Sequence, residues 1–248
     1  YDWDLMYKSS GDIHSDGSIC IINHIKDCKD WFESVGNCDG IELFNDFAPK
    51  VRIFKYMREN YEYQLSAYLN ALKKGQIVSV YGGIDLHEIH QANMGHVSTY
   101  VFADKLSYFP ILNSLRKGET YATSNIYYLD VSDKPFKEVK KSDNFYIKVT
   151  FEAPKLSRIP EYANIYKNGE LLNLVTIKRM DGAGPLFKRY SFSYANSVKS
   201  EKECYVIEVD EYLISSPYCY SSHNPEKILT HDENGDVVVS NSGNTPEH

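Results

Sequence analysis

The chain has 248 residues and a net charge of −7, with 42% hydrophobic and 25% charged residues, the makeup of a globular protein of one large or two smaller domains. Its lysines and arginines are scattered, so it offers no basic stripe to neutralise phosphates, and nucleic acid is not expected as a partner. No run approaches the roughly 18 consecutive apolar residues of a membrane span, and no signal-peptide pattern opens the chain. The first residue is Tyr1 rather than Met, so an N-terminal piece is expected to precede it, and the compartment stays open between cytoplasm and secretion. The 21 tyrosines and 11 phenylalanines suit half-buried strands, with a carbohydrate or protein contact surface as the other reading. Five cysteines without a CxxC pair suggest neither a disulfide framework nor a zinc ribbon. Cys20 and Cys204 sit in apolar runs and read as buried free thiols.

In chain order, Ile19 to Ile22 reads as a strand. Cys28, Trp31, Phe32 and Val35 follow at helical spacing, and Gly40 to Phe44 is a second strand. Tyr61, Leu65, Tyr68, Leu69 and Leu72 share one face of a longer helix that Gly75 stops. Ile77 to Tyr81 and Val97 to Phe102 are further strands, and Pro110 to Lys117 is a short helix closed by Gly118. This alternation predicts an α/β fold with a mainly parallel sheet or barrel.

The period changes to two near residue 125. Phe145, Ile147, Val149 and Phe151 alternate with polar residues, the pattern of a strand with one buried face. Asn168-Gly169 between two apolar segments signals a hairpin. Tyr190 to Tyr194 and Tyr205 to Val209 complete a small antiparallel β-sandwich. The predicted organisation is residues 1–124 as an α/β unit, 125–230 as a β-sandwich and 231–248 as a mobile tail.

Ligands of parallel α/β sheets bind at the carboxyl ends of the strands. His24 ends the first apolar strand, and Asp85-Leu86-His87 follows a Gly82-Gly83 turn after the third. Residues i and i+2 of an extended segment point the same way, so Asp85 and His87 can reach one ion.

Several segments in order resemble the polymerase and histidinol phosphatase (PHP) superfamily, in its carbaryl-hydrolase-like branch. They are Gly17 to His24, Asp39 to Asn45, Leu72 through Asp85-Leu86-His87, Gly95-His96 to Ala103, Leu115 to Thr123, and Ser216-Pro217. The resemblance implies part of a distorted (β/α) PHP-type barrel, its C-terminal half, ahead of the sandwich. It makes His24, Asp85 and His87 metal ligands, with Glu42 and Asn45 lining the site or holding those ligands. The implied ions are divalent zinc, manganese or iron, and the implied activity is hydrolysis of phosphate or carboxylic esters of small molecules by metal-activated water. His90 and His96, close to the Asp-x-His segment, are further candidates for metal or substrate contact.

The chain also departs from that pattern. Ile25 stands where the family has proline after His24, and Ile84 where it has serine. The family's opening H-x-H strand and its Asp-His strand are not found. Gly11 to Gly17 is similar to the opening motif but lacks the second histidine. A chain that starts within the barrel could not complete a trinuclear site from these residues alone, and its open strand edges would call for an oligomer to cover them. The alternative function is a degenerate, non-catalytic relative whose tyrosine-rich sandwich binds a glycan or a protein. No G-x-S-x-G, P-loop or dinucleotide glycine pattern occurs.

Overall fold

The computed structural model describes residues 18–23, 38–45, 54–83, 97–181, 184–223, 228–231 and 237–240. Three strands come first: β1 (Ile21–Ile22), β2 (Gly40–Asn45) and β3 (Ser79–Gly83), with helix α1 (Phe54–Lys73) between β2 and β3. They form a parallel sheet in the order β1-β2-β3. Tyr61, Tyr68, Ala71 and Leu72 of α1 are buried against Ile41, Leu43 and Val80, the stripe that a 3.6-residue period places on one face. Gly75, at φ 79°, ends the segment.

The parallel arrangement stops there. β4 (Val97–Val101) and β5 (Thr120–Ser124) flank helix α2 (Tyr108–Lys117) and pair antiparallel, Val97 opposite Ser124 through Val101 opposite Thr120. Gly118 caps α2 at φ 69°, its N–H donating to the Leu115 carbonyl, and turns the chain straight back into β5. An α/β barrel is therefore overturned: most strands are antiparallel, and α1 and α2 are the two helices among the described residues. The run Val97 to Phe102 reads as a strand, and β4 is one through Val101, but a local pattern carries no information on the direction of a strand's neighbours.

The remaining strands are β6 (Tyr128–Val131), β7 (Phe136–Lys141), β8 (Asn144–Pro154), β9 (Tyr162–Lys167), β10 (Glu170–Thr176), β11 (Lys178–Met180), β12 (Phe187–Ser197), β13 (Glu203–Val209), β14 (Leu213–Ser215) and β15 (Tyr218–Ser221). An eight-stranded sheet runs β10-β9-β13-β14-β5-β4, with β15 pairing to β13 and β7. A four-stranded sheet runs β11-β12-β8-β6. The Asn168-Gly169 turn joins β9 to β10 with φ 50° and 79°, the two positive angles that the hairpin signal implied. β16 (Ile228–His231) and β17 (Val237–Ser240) pair as a hairpin; the other positions of the 231–248 segment lie outside the described residues.

The eight-stranded sheet is the middle layer, and its side chains alternate between two cores. Tyr121, Ile165, Tyr205, Ile207 and Leu213 face the four-stranded sheet, where Phe145, Ile147, Val149 and Phe151 of β8 are fully buried. Ala122, Val206 and Ile214 face the parallel sheet and α1. Burial on both faces explains why β13 reads as an almost continuous apolar run. Because β4 and β5 share this sheet with β9, β13 and β14, it takes strands from both sides of residue 125.

The parallel sheet does not join that middle layer through a backbone ladder. The Ser216 hydroxyl accepts from the Val80 N–H at 2.9 Å, and the Thr120 hydroxyl donates to the Val80 carbonyl at 2.9 Å. Those two hydroxyls are 2.7 Å apart. Further along β3, the Thr99 hydroxyl lies 2.9 Å from both the N–H and the carbonyl of Gly82. A Cβ on Gly82 would come within 2.8 Å of Val97 Cγ1 and 3.0 Å of the Ser98 carbonyl, so only glycine permits this approach.

Two disulfides correct the free-thiol reading. Cys20 pairs with Cys38 and Cys204 with Cys219. The second joins residues that lie opposite each other on β13 and β15. Connectivity of this kind is set by the fold and is not deducible from spacing.

Replacing Ser216 with alanine strands the buried Val80 N–H, and we expect a loss of about 1–3 kcal/mol in urea denaturation with an unchanged m value. Replacing Cys204 and Cys219 together with alanine removes a cross-link with a sequence separation of 15, and the same measurement under non-reducing conditions should show a loss of about 3 kcal/mol.

Candidate functional site at the ends of the parallel strands

The two ends of the parallel sheet differ in character. At the amino end the Cys20–Cys38 disulfide ties β1 to β2. There the Asp39 carboxylate accepts from the Cys20 N–H at 2.9 Å, and Asp39 N–H donates to the Cys20 carbonyl at 2.9 Å. The Lys137 ammonium lies 3.4 Å from the same carboxylate. Burial lowers the Lys137 pKa, and the Asp39 charge opposes that shift. This end is closed by covalent and ionic ties.

At the carboxyl end, β2 carries a buried acid. Glu42 lies opposite Tyr81 and Asn45 opposite Gly83, with a register shift between Glu42 and Phe44. A bulge of this kind re-aims the side chains beside it. Glu42 is only 6% exposed, and its carboxylate lies over Gly83 so closely that a Cβ there would overlap Oε1. Gly82 and Gly83 thus serve two approaches, one of β4 and one of a carboxylate. The Gly-Gly pair was visible in the sequence, whereas the carboxylate above it was not, because the bulge that aims Glu42 has no local signature.

Two residues beyond Glu42 on β2, an aromatic pair ties the strand to α1. Phe44 stacks on Tyr61 at 5.2 Å between ring centroids. The Tyr61 hydroxyl shares its proton between Glu208 Oε1 at 2.8 Å and the Asp210 carbonyl at 2.6 Å. Asn164 donates to the other Glu208 oxygen. Burial raises the Glu208 pKa although both donors oppose the shift, and burial holds the Tyr61 hydroxyl well above the usual phenol range. This network pins α1 to the middle sheet.

The predicted site residues divide accordingly. Glu42 is placed by the structure, and Asn45 is the last residue of β2, described in its backbone. His24, Asp85, His87, His90 and His96 lie outside the described residues. In sequence, His24 comes two residues after β1, Asp85 two residues after β3, and His96 immediately before β4. Among the described residues no group of three or more His, Cys, Asp or Glu side chains could hold a metal ion. Among them, too, no helix is long and apolar enough to cross a membrane. No protein-family model matches the chain, and no curated protein matches it either.

A Gly83→Ala substitution forces its methyl group into the Glu42 carboxylate and should destabilise the fold by about 1–3 kcal/mol. Glu42→Ala in the same chain vacates that space, so the double variant should recover part of the loss; a double-mutant cycle in urea denaturation measures the coupling.

Proposed function

We propose that this chain is a metal-dependent hydrolase of phosphate or carboxylic esters, with its site at the carboxyl ends of β1, β2 and β3. The observation that carries this reading is the buried Glu42 carboxylate on the middle strand, seated over Gly83, between two strands that lead in sequence to His24 and to Asp85-Leu86-His87. Parallel strand ends are where α/β sheets hold ligands, and the amino end of this sheet is already closed by a disulfide. The reading needs no closed barrel, only three adjacent strand ends.

The donor set suits the group. Carboxylate and neutral imidazole are the ligands that zinc, manganese and iron accept, and a buried acid is stabilised by a nearby cation. His24, Asp85 and His87 would hold the metal, with Glu42 and Asn45 beside them and His90 and His96 near the substrate. Such an ion supplies a nucleophilic water at neutral pH and polarises the ester oxygen. The part left to the protein is to hold Glu42 in place, through its seat on Gly83 and the bulge beside it. The order of segments that resembles the PHP superfamily supports the same residues.

The tyrosines do not by themselves favour the alternative of a purely binding sandwich. Tyr61, Tyr68, Tyr121, Tyr205 and Tyr218 are among those buried in the two cores, which accounts for much of the aromatic content.

The test is metal content and turnover of the full natural chain, loaded with manganese or zinc and assayed on a nitrophenyl phosphodiester and a nitrophenyl carboxylic ester. We expect a retained divalent ion, chelator-sensitive hydrolysis that Asp85→Asn abolishes, and metal affinity about 10–100-fold weaker in Glu42→Gln. Metal-free protein as active as loaded protein would overturn the reading.

A further inference from the structure

A second site lies on the far side of the molecule, where the chain crosses from one sheet to the other. β10 ends at Thr176 in the eight-stranded sheet, and β11 starts at Lys178 in the four-stranded sheet. β11 covers β12 only from Arg189 to Ser191, whereas β12 continues against β8 to Ser197. The shortfall leaves an open groove of about 420 Å³ between Val175, Thr176, Lys178 and Met180 on one side and Ser191, Phe192, Ser193 and Lys148 on the other.

The groups facing this groove are unspent. Lys148 and Lys178 have no ionic partner among the described residues, and the hydroxyls of Thr176 and Ser193 make no hydrogen bond among them. Arg189, on the same sheet face, is matched by Glu152, so the free positive charge beside the groove is that of the two lysines that line it. Two lysines without an ionic partner line one groove, in a chain of net charge −7, and such a groove suits an anion. Val175, Met180 and Phe192 add an apolar surface that a bare inorganic anion would leave unused. Tyr146 stands two residues from Lys148 on the same face of β8, 53% exposed, and a tyrosine ring offers a flat apolar body with a polar tip.

We propose that this groove binds an acidic glycan, a chain bearing uronate or sulfate groups. One anionic group lies between Lys148 and Lys178, sugar hydroxyls meet Thr176 and Ser193, the apolar sugar face covers Met180 and Val175, and a neighbouring sugar stacks on Tyr146. An open groove on a sheet face suits an extended polymer better than a small molecule, which sites of buried, enclosed shape favour. A peptide adding itself as a strand would need a long bare backbone edge, whereas β11 takes Arg189 to Ser191 of β12 and β10 packs close to the same strand. The two disulfides fit an oxidising, extracytoplasmic setting. The proposal stands independently of the hydrolase reading.

The experiment is calorimetric titration of the full chain with a galacturonate oligomer, a heparin-derived sulfated oligomer, a neutral gluco-oligomer, and inorganic sulfate. Binding of either acidic oligomer, weakened by added salt, with no binding of the neutral one, is the expected result, and the stronger of the two identifies the anion. Lys148→Gln with Lys178→Gln should weaken that binding about tenfold or more, Lys148→Arg with Lys178→Arg should retain it, and Tyr146→Ala should weaken the oligomers alone. All three positions are exposed, so an unchanged melting temperature confirms that the variants fold. The proposal fails if neither acidic oligomer binds, if the neutral oligomer binds as tightly, if inorganic sulfate competes at equal concentration, or if the glutamine variant binds unchanged.

Discussion

The arrangement of the molecule depends on how the outer edge of β3 is satisfied. A strand edge presents alternating N–H and carbonyl groups that must be paired once water is excluded. Here Ser216 and Thr120 take those of Val80, and Thr99 takes those of Gly82. Three side-chain hydroxyls replace a neighbouring strand. Because hydroxyls impose no strand direction, a parallel sheet can abut an antiparallel one without a shared ladder. The abutment also sets the position of the carboxyl end of β3, and with it the place where Gly83 meets Glu42.

The middle sheet bears the consequences on both faces. Facing the sandwich, a chain of hydroxyls runs from Tyr121 to Tyr218 at 2.7 Å and on to the Asp133 carbonyl at 3.0 Å, so two fully buried phenols are satisfied without water. Burial raises the pKa of both, and they stay protonated as the donors that this chain requires. Facing α1, Tyr61 and Asn164 satisfy Glu208 in the same manner. Buried polar groups satisfied in this way specify one packing over its competitors.

Much of the local structure was legible. The period of two in Phe145 to Phe151 located β8, Asn168-Gly169 located the β9–β10 hairpin, the Tyr61 to Leu72 stripe located α1, and Gly118 located the end of α2. Each signal spans a few consecutive residues. The misread fold class arose where the information is not local: nothing within residues 97–102 says that β4 will pair with β5 rather than extend β3. Thr120 and Ser216 are ordinary residues until they meet across 96 positions, as Thr99 is until it reaches Gly82, and Cys20 and Cys204 read as free thiols because each sits in an apolar run. For the candidate site, strand-end position singled out His24, Asp85 and His87 and the resemblance to the PHP superfamily added Glu42, but the seat of Glu42 on Gly83 depends on a bulge that only the pairing with β3 reveals.

The hydroxyl seam also orders events in time. A chain is synthesised from its amino end, and β3 is complete long before the residue that caps its Val80 N–H emerges from the ribosome. Until Ser216 arrives, the parallel sheet has an edge that Thr99 and Thr120 only partly cover, an exposed template for pairing with another nascent chain. The segment closest to the proposed hydrolytic chemistry is thus completed only once residue 216 is made, and an interruption of synthesis before that point would leave a molecule with most of its core sequence present and this edge still open.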